Sequence, residues 1–255
     1  MDQFLYKTFR FADRTIDRIV LLVSIILAII GFYFLSDALY VFNSSSSAGM
    51  SKFRFEIQNN IGALKEISGN CVGWIWVEDT NIDYPLMQGE TNSTYLNINP
   101  YGEYAIGGSI FLDSRNDPEL KDSYSLVYGH HMNNGIMFGA LDKFYDKDYL
   151  EQHRIGKLYM ANGETYEMHI FCSIITDANI KLIFDPNGSA PVLEYAKENH
   201  EVYLEPENDH IIALSTCKDP GSTTRTVVLA TLHLTDEVHD KELEEGSVVN
   251  TLETG

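Results

Sequence analysis

The residues of this chain best suited to covalent chemistry are a cysteine, a histidine and an arginine. Cys217 ends the run LSTC, Arg225 follows eight residues later, and His130 ends the upstream motif YGH. A cysteine thiolate is a nucleophile, a histidine transfers protons near neutral pH, and a guanidinium always carries charge. Together they predict a thiol nucleophile, a proton-transfer partner and a clamp for an oxyanion or a substrate carbonyl.

Each of these residues also has an ordinary structural interpretation. The pKa of a free cysteine is about 8.5, and Cys217 could be a small buried apolar residue. Arg225 could be an edge-strand cation, although no other charged residue lies between Asp219 and Asp236. His131 competes with His130 for the chemical role, and adjacent residues of a strand face opposite sides of a sheet.

Two strongly β-patterned segments position the cysteine and the arginine. Residues 210–217 and 226–233 are mostly apolar and rich in β-branched side chains, and the loop KDPGSTT joins the cysteine strand to Arg225. This pattern predicts a strand–loop–strand unit. Shorter β-like runs, punctuated by Gly, Asn, Asp and Pro, lie at residues 72–77, 82–87, 109–112, 125–128, 157–160 and 165–175. The fold class predicted is mainly β, a closed eight-stranded β-barrel.

Few helices are predicted in the globular part. Residues 52–68 carry apolar side chains at helical spacing and predict an amphipathic helix packed on the barrel. Residues 137–144 and 148–153 predict short helical turns after the histidine motif. Residues 191–199 predict a helix with Pro191 in its first turn and Ser189 as its cap. That helix lies in the long connection before the cysteine strand.

The N-terminal part of the chain predicts a membrane anchor. Residues 19–42 are apolar almost throughout, with Asp37 as the only charge, and about 20 such residues span a bilayer as a helix. A cleaved signal peptide is the alternative, but the stretch is long and the bulky segment YVF stands where a cleavage site would be. Basic residues precede it and favour a cytoplasmic N-terminus: Lys7, Arg10, Arg14 and Arg18.

The remaining boundaries follow from composition. Residues 1–18 are predicted to be cytoplasmic, 19–42 to span the membrane, 43–50 to form a flexible Ser-rich tether and 51–234 to form the catalytic domain outside the cell. Residues 235–255 predict a solvated acidic tail. The formal charge of −19 argues against nucleic acid as a partner, because phosphate binding needs a basic face.

Three cysteines are too few for a disulfide scaffold. Cys71 and Cys172 are interpreted as small buried apolar residues, with a disulfide between them as the alternative. Metal-site spacings such as Cys-x-x-Cys are absent from the sequence, so no metal site is predicted. The other histidines match no motif and are interpreted as structural or solvated: His153, His169, His200, His210, His233 and His239.

The motifs resemble those of the sortases, the cysteine transpeptidases that attach surface proteins to the Gram-positive cell wall, and most closely those of class B. The resemblance lies in YGH at 128–130, LSTC at 214–217 and Arg225, with support from VGWI at 72–75, DYPLMQ at 83–88 and GGSIFLD at 107–113. It extends over about residues 50 to 233. In the sortase pattern the functional histidine directly follows a glycine, which selects His130.

The resemblance implies a role for each of these residues. Cys217 attacks a peptide carbonyl in a C-terminal sorting signal, Arg225 stabilises the tetrahedral intermediate, and His130 moves the proton of the leaving and incoming amines. The class B pattern also implies a peptide groove lined by Asn92, Leu96, Tyr128 and Ser215. Asn92 could equally be a turn residue, Leu96 a core residue and Tyr128 a packed aromatic.

A membrane-anchored sortase has an extracellular catalytic domain and two kinds of partner. These are the sorting-signal peptide of a secreted protein and an amine, from a peptidoglycan precursor or a pilin lysine. The resemblance implies no cofactor; class A sortases can bind calcium, but no matching acidic cluster is present here. We expect a monomer. We also expect the long segment 177–206 to form one wall of the peptide groove.

Two other classes of protein remain as alternatives. One is an extracellular cysteine peptidase or hydrolase acting on cell-wall peptides. Papain-like enzymes place the cysteine before the histidine, whereas here His130 precedes Cys217, and the His-Gly-Cys core of L,D-transpeptidases is absent. The other is a non-catalytic anchored β-barrel that binds a ligand. That class explains the anchor and the barrel but not the joint presence of cysteine, histidine and arginine.

Overall fold

A computed structural model describes residues 2–45, 57, 62–186, 188–217 and 222–235, with the main chain only at residues 2–15, 38, 40–45, 134 and 217. These residues fall into two units that meet between Ser44 and Ser45. The first unit is helix α1, Asp2–Ser45. Within it, Ile16–Asp37 is long and apolar enough to cross a membrane, with a mean hydropathy of 2.8 and no buried residue in its most apolar window of 18 residues. The helix continues through residues 43–45, which the sequence placed in the tether; residues 46–50 lie outside the described residues.

The second unit is a β-barrel. Its described residues form nine strands: β1 Cys71–Val77, β2 Asp83–Met87, β3 Ile110–Leu112, β4 Tyr124–Tyr128, β5 Ile155–Met160, β6 Thr165–Asp177, β7 His200–Tyr203, β8 Ile211–Cys217 and β9 Thr224–Thr235. The strand order is β5-β1-β2-β3-β4-β8-β9-β6, and β6 pairs with β5 to close the barrel. The prediction of a closed eight-stranded barrel is confirmed, and β7 adds a ninth strand beside β6.

Strand β6 changes the face it buries partway along its length. Its first half directs Met168 and Ile170 into the barrel interior, whereas Cys172 and Ile174 belong to the core outside it. A bulge between Ile170 and Cys172 inserts one extra residue opposite β9 and reverses the alternation. The first half of β6 therefore packs into the barrel interior, and its second half packs against the helices that cover the outside of the barrel.

Both faces of β8 and β9 are buried, which explains why these strands read as continuous apolar runs. Ile212 and Leu214 point into the barrel, and Ile211 and Ala213 lie in the outer core. The outer core is covered by helix α4, Lys181–Phe184, and helix α5, Ser189–Asn199. The predicted helix 191–199 is confirmed, but Ser189 is its first residue rather than its cap, since Gly188 precedes the helix.

The other helical segments lie near their predicted positions. A 3₁₀ helix Phe138–Tyr145 and helix α3, Lys147–Gln152, follow the histidine motif. Helix α2, Ala63–Ile67, buries Leu64 against the face of β1 that carries Trp74. Of the amphipathic helix predicted over 52–68, the residues 52–56 and 58–61 lie outside the described part, as do the tail residues 236–255.

Cys71 and Cys172 are buried free thiols. Burial raises the pKa of each to about 12, so neither ionises near neutral pH. Both are the inert apolar residues that the sequence predicted.

Candidate active site

The register of three strands brings the predicted chemical residues to one edge of the barrel. Strands β4 and β8 run parallel with Tyr128 opposite Ser215, and the N–H of Gly129 donates to the Ser215 carbonyl at 3.1 Å. Continuing this register by two residues places His130 level with Cys217. Strand β9 is antiparallel to β8, and its register pairs Cys217 with Arg225. The cysteine, histidine and arginine positions therefore meet although 95 residues separate the first from the last.

Gly129 is required by close packing rather than by backbone conformation. A Cβ at this position would lie 2.4 Å from Cδ1 of Ile110 and 2.7 Å from Cδ2 of Phe138. Both neighbours are buried. The glycine lets β4 pass against β3 and the 3₁₀ helix, and so fixes where His130 emerges.

The His130 ring is held by a main-chain acceptor. Its Nε2 lies 2.7 Å from the carbonyl oxygen of Leu96. A carbonyl only accepts, so Nε2 carries the proton in this arrangement and Nδ1 is the other ring nitrogen. The Leu96 segment is itself fixed by Gly108, whose φ is +56° and whose Cβ position lies 2.4 Å from the Leu96 and Tyr95 carbonyl oxygens. Only a glycine fits there.

A cavity of about 290 Å³ opens beside His130. Its wall is mostly apolar or aromatic with a few polar groups, as in small-ligand and peptide clefts. The residues that line it are Asn92, Leu96, Phe111, Tyr128, Gly129, His130, Ser215, Thr216 and Arg225. The four residues predicted to bind substrate, together with His130 and Arg225, thus share one cavity.

Two walls of the cavity are tied together by one carboxylate. Asp113 Oδ2 accepts hydrogen bonds from Asn92 Nδ2 at 2.8 Å and from the Tyr128 hydroxyl at 3.1 Å. The Asp113 side chain is completely buried and forms a salt bridge with Arg115 at 2.8 Å. Asn92 is held at its other end, where its Oδ1 accepts from the Ser114 N–H at 2.7 Å. Asn92 and Tyr128 are therefore fixed in position before any substrate arrives.

The charge state of this network follows from its hydrogen bonds. Burial alone would raise the pKa of Asp113, but hydrogen bonds from Arg115 and Asn92 and the charge of Arg115 outweigh it and hold that pKa below its usual value. Burial, and then the neighbouring Asp113 charge, raise the pKa of Tyr128 well above its usual value. At neutral pH the network therefore consists of a carboxylate, a neutral phenol and a guanidinium.

Arg225 is half-buried at the start of β9. Its Nη1 donates to the Ser222 carbonyl at 2.8 Å and to the Thr224 carbonyl at 3.2 Å. A guanidinium has five N–H donors. Among the described residues the other donors of Arg225 have no hydrogen-bond partner, so they are candidates for binding a ligand in the cavity. Two hydroxyls beside it, Ser215 Oγ and Thr216 Oγ1, are buried without a hydrogen-bond partner among the described residues. Such groups are costly unless a ligand or water satisfies them.

His131 lies in a separate network beneath the cavity. Its Nε2 is 2.8 Å from Asp142 Oδ2, and Asp142 Oδ1 accepts from the Thr226 hydroxyl at 2.9 Å. Thr226 also contacts the Tyr145 hydroxyl. His131 is not among the residues that line the cavity. The two neighbouring histidines thus face different surroundings, although both lie beyond the end of β4 at Tyr128, so strand alternation is not the reason.

The long segment before β8 packs elsewhere than predicted. Among its described residues, 177–186 and 188–206, none lines the cavity. Ile183 and Val192 instead cover the outer face of β8 and β9. The segment reaches the site indirectly, because Arg115 bonds both the Phe184 carbonyl at 2.9 Å and Asp185 at 3.0 Å. The segment that was expected to form a groove wall therefore covers the outer face of β8 and β9, and Arg115 connects it to Asp113.

Three residues of the site were not predicted from the sequence: Phe111, Asp113 and Arg115. Phe111 and Asp113 lie in the segment GGSIFLD, which the resemblance included without assigning it a role. The sequence does contain a pattern that could have identified them as site residues: Asp113 follows a short apolar run, and the oppositely charged Arg115 comes two residues later. Their importance depends on contacts with Asn92 and Tyr128 that local sequence does not contain.

Comparison with known proteins places these residues in a family context. The sortase domain family model matches residues 75–233. Sortase B of Listeria monocytogenes is 33% identical over 190 residues, which cover 72% of this chain and 76% of that protein. The family-model match includes every residue that lines the cavity, from Asn92 to Arg225.

Solved structures show the same likeness. A class B sortase of Streptococcus pyogenes involved in pilus biogenesis has a TM-score of 0.63 and 33% identity, covering 69% of this chain and 100% of that one. A sortase B–substrate complex of Staphylococcus aureus has a TM-score of 0.68 and 26% identity, covering 79% of this chain and 99% of that one.

Proposed function

This chain belongs to the sortase family of cysteine transpeptidases, in its class B branch, and from that premise we propose that Cys217, His130 and Arg225 carry out its reaction. As a member of that family it is an enzyme that cleaves sorting signals. The observation that supports the three assignments best is the strand register, which pairs Cys217 with Arg225 and brings His130 to the same edge of the barrel.

In the first step the Cys217 thiol gives its proton to Nδ1 of His130, and the resulting thiolate attacks the carbonyl carbon of a peptide bond in the signal. The carbonyl oxygen becomes an oxyanion, which the free N–H donors of Arg225 stabilise. The C–N bond then breaks, and the leaving amine takes a proton from His130. Because Nε2 of His130 donates to Leu96, Nδ1 is the ring atom proposed to transfer this proton. The product is a thioester between Cys217 and the N-terminal part of the substrate.

In the second step an incoming amine attacks the thioester carbonyl. His130 takes the proton that the amine nitrogen loses, and Arg225 again stabilises the oxyanion. The C–S bond breaks, which forms a new amide and returns the thiolate of Cys217. Splitting one difficult exchange into two steps of covalent catalysis is how activated cysteines accelerate acyl transfer.

Specificity is proposed to reside around Asn92 and Leu96. Asn92 is fixed between Asp113 and Ser114, and the Leu96 side chain is 39% exposed at the cavity. Tyr128 supplies an aromatic face, and the unpaired Ser215 hydroxyl is a donor or acceptor for a peptide group. Side chains held this firmly discriminate between signal peptides better than mobile ones, because ordering them costs little on binding.

The proposed location is the outer face of the cell membrane. The apolar segment Ile16–Asp37 is proposed to span the bilayer once, with the catalytic domain extracellular. The substrate would be the C-terminal signal of a secreted protein, and the amine would come from a peptidoglycan precursor or a pilin lysine. The relatives support the second partner only in part: one solved class B sortase is involved in pilus biogenesis.

The test is intact-mass spectrometry of the full chain, purified in detergent, with a panel of signal peptides ending in Pro-x-Thr-Gly-like or Asn-Pro-x-Thr-Asn-like motifs. We expect an added mass equal to the acyl part of one peptide, which an amine then removes. Cys217→Ala should abolish the adduct, whereas Cys71→Ala, which alters a buried inert thiol, should retain it. An adduct that survives Cys217→Ala would place the nucleophile elsewhere.

Arg225→Lys tests the proposed clamp. Lysine keeps the positive charge but has no planar fork of donors. We expect kcat for adduct formation to fall by about 10²–10³-fold, the usual effect of losing one oxyanion donor. The measurement is the single-turnover rate of thioester formation. A near-normal rate would mean that Arg225 acts only as a point charge.

A further inference from the structure

A second cluster of ionisable side chains lies at the other end of the barrel. His169 lies on β6 and His233 on β9, and Glu207 lies in the loop 204–210 that joins β7 to β8. Eight residues of β9 separate His233 from Arg225, roughly 27 Å of extended strand. The cluster therefore does not belong to the catalytic cavity.

The donor atoms of the cluster converge on one point. One donor atom from each of His169, Glu207 and His233 lies within 4.8 Å of the other two. Nδ1 of His169 is 2.7 Å from Glu207 Oε2, and Nε2 of His233 is 3.5 Å from the same oxygen. The two imidazole rings lie 4.4 Å apart between centroids.

These distances are close to those of a tetrahedral zinc site. With Zn–N and Zn–O bonds of about 2.0–2.2 Å, neighbouring ligand atoms are roughly 3.3 Å apart. The His233–Glu207 separation already fits, and the His169–Glu207 contact would have to open by about half an ångström. His233 Nε2 also contacts the Thr231 hydroxyl at 3.1 Å, and that hydroxyl has the His169 carbonyl within 3.5 Å as another acceptor.

The outer partners of His169 and Glu207 are of the kind that metal-binding side chains have, whereas both ring nitrogens of His233 lie 3.4 Å from Asn208 Nδ2. Nε2 of His169 lies 2.6 Å from Glu167 Oε1, which leaves Nδ1 as the ligand atom. A histidine ligand usually donates its other N–H to a carboxylate in this way. Arg154 Nη2 holds Glu207 Oε1 at 3.0 Å, so that Oε2 faces the histidines.

Charge and access both favour a divalent cation. With neutral histidines, Glu167 and Glu207 contribute −2 and Arg154 contributes +1, which leaves −1 in the cluster. The side chains of Glu207, His233 and His169 are 42%, 32% and 19% exposed, so an ion can reach them from solvent. Two imidazoles and a carboxylate are ligands that zinc prefers, whereas calcium and magnesium prefer oxygen alone.

We propose that His169 Nδ1, His233 Nε2 and Glu207 Oε2 bind a zinc ion, with Glu167 as the outer carboxylate that orients His169. The ion would tie the loop 204–210 to the paired strands β6 and β9. That loop leads directly into β8, the strand that ends at Cys217. The site is far from the cavity, so its role is to stabilise the barrel and not to take part in acyl transfer.

The experiment uses the full chain in detergent, purified without a histidine tag and freed of metal with a chelator. Titration with Zn²⁺ by calorimetry should give one saturable site, and Zn²⁺ but not Ca²⁺ should raise the unfolding temperature in a concentration-dependent way. Co²⁺ should give visible d–d bands without a sulfur charge-transfer band. A sulfur band would assign the ion to a cysteine and overturn the proposal.

Matched variants separate this site from its neighbours. His233→Asn and Glu207→Gln should each weaken Zn²⁺ binding by about tenfold or more, and Glu167→Gln by about 10- to 100-fold. The controls His200→Asn and Glu205→Gln, which change the same residue types nearby, should bind as the wild type does. Binding should also persist in Cys217→Ala, so failure of the proposed catalytic role leaves this result unchanged.

Two results would overturn the zinc site. One is the absence of saturable Zn²⁺ binding by the wild-type chain. The other is equal binding by the wild type and by folded His233→Asn and Glu207→Gln variants, with folding judged by circular dichroism. These two variants lie on different elements, a strand and a loop, and either folded variant is sufficient for the comparison.

Discussion

His130 and His131 are neighbours in the chain but have different partners. His130 Nε2 donates to the main-chain carbonyl of Leu96, and its ring faces the cavity. His131 bonds Asp142, which is part of a network with Thr226. The carbonyl acceptor fixes the tautomer of His130 and leaves Nδ1 to exchange a proton, whereas Asp142 and Thr226 hold the ring of His131 in a side-chain network. The two rings are therefore suited to proton exchange and to structural support respectively.

We predict that His130→Ala lowers the rate of thioester formation by about 10²–10⁴-fold, the range for loss of a general acid–base. His131→Ala is the matched control, since it removes the adjacent ring. It should leave most activity and mainly lower the unfolding temperature. The measurement is single-turnover kinetics with one signal peptide. A larger rate loss in His131→Ala would show that the assignment of the two histidines is wrong.

Asp113→Asn should destabilise the domain by about 2 kcal/mol at neutral pH, because hydrogen bonds to a buried charged group are lost. The pKa of Asp113 is below its usual value, so its stabilising effect is complete above about pH 3.8 and is lost as pH falls through the lowered pKa. The difference in unfolding free energy between wild type and Asp113→Asn should therefore shrink only in that acid range.

The control for this prediction is Asp185→Asn. Asp185 is the other carboxylate partner of Arg115, but its side chain is 41% exposed. Its loss should cost within about 1 kcal/mol, as for exposed ion pairs. If Asp113→Asn proved as mild as this control at neutral pH, the buried carboxylate would not be what holds the cavity walls together.

Among the secondary-structure elements, strands buried on both faces were the easiest to predict from the sequence. The bounds of β8 and β9 were predicted to within two residues at each end, because both faces of these strands are buried and their apolar runs are unbroken. The motif order then placed His130, Cys217 and Arg225 at the ends of strands. A closed barrel followed from the number of short runs, whereas the pairing of β5 with β6 that closes it was not predicted.

Other elements could not be predicted because the residues that they pair with or contact are distant in the sequence. Strand β7, His200–Tyr203, begins with two exposed polar residues and has no alternation of its own. It pairs with the part of β6 that lies beyond the bulge after Ile170, where Cys172 is opposite Tyr203. The salt bridge from Arg154 to Glu207 spans 53 residues, so the histidine cluster was likewise invisible in local sequence.

Gly129 lies where β4 packs against β3 and the 3₁₀ helix, with no room for a side chain. Gly129→Ala should destabilise the domain by about 1–3 kcal/mol, the range for overpacking a well-packed core. Gly69→Ala is the matched control, since a Cβ there meets nothing within 4 Å. Thermal or urea unfolding of both variants is the measurement. Equal stability of the two would mean that β3 and the 3₁₀ helix yield to the added methyl.

For the whole molecule, the proposed topology has a direct test. External protease added to intact protoplasts should remove the catalytic domain, because the segment Ile16–Asp37 is proposed to leave it outside the bilayer. The fragment that remains should contain the N-terminal residues. Lysed protoplasts and a cytoplasmic marker protein serve as controls. Full protection of the domain in intact protoplasts would contradict the outward orientation.

The parallel pairing of β4 with β8 has a consequence for the order in which the enzyme is made. Tyr128 and Ser215 are 87 positions apart, and Arg225 follows later still. In the proposed orientation the N-terminus stays in the cytoplasm and the residues after the apolar segment cross the membrane in chain order, so His130 emerges long before its partners. Pairings between strands this distant in sequence form late, because the loss of chain entropy on closing the long intervening loop comes before the contacts that offset it. The nascent enzyme therefore stays inactive towards passing secreted chains until its last strand is in place.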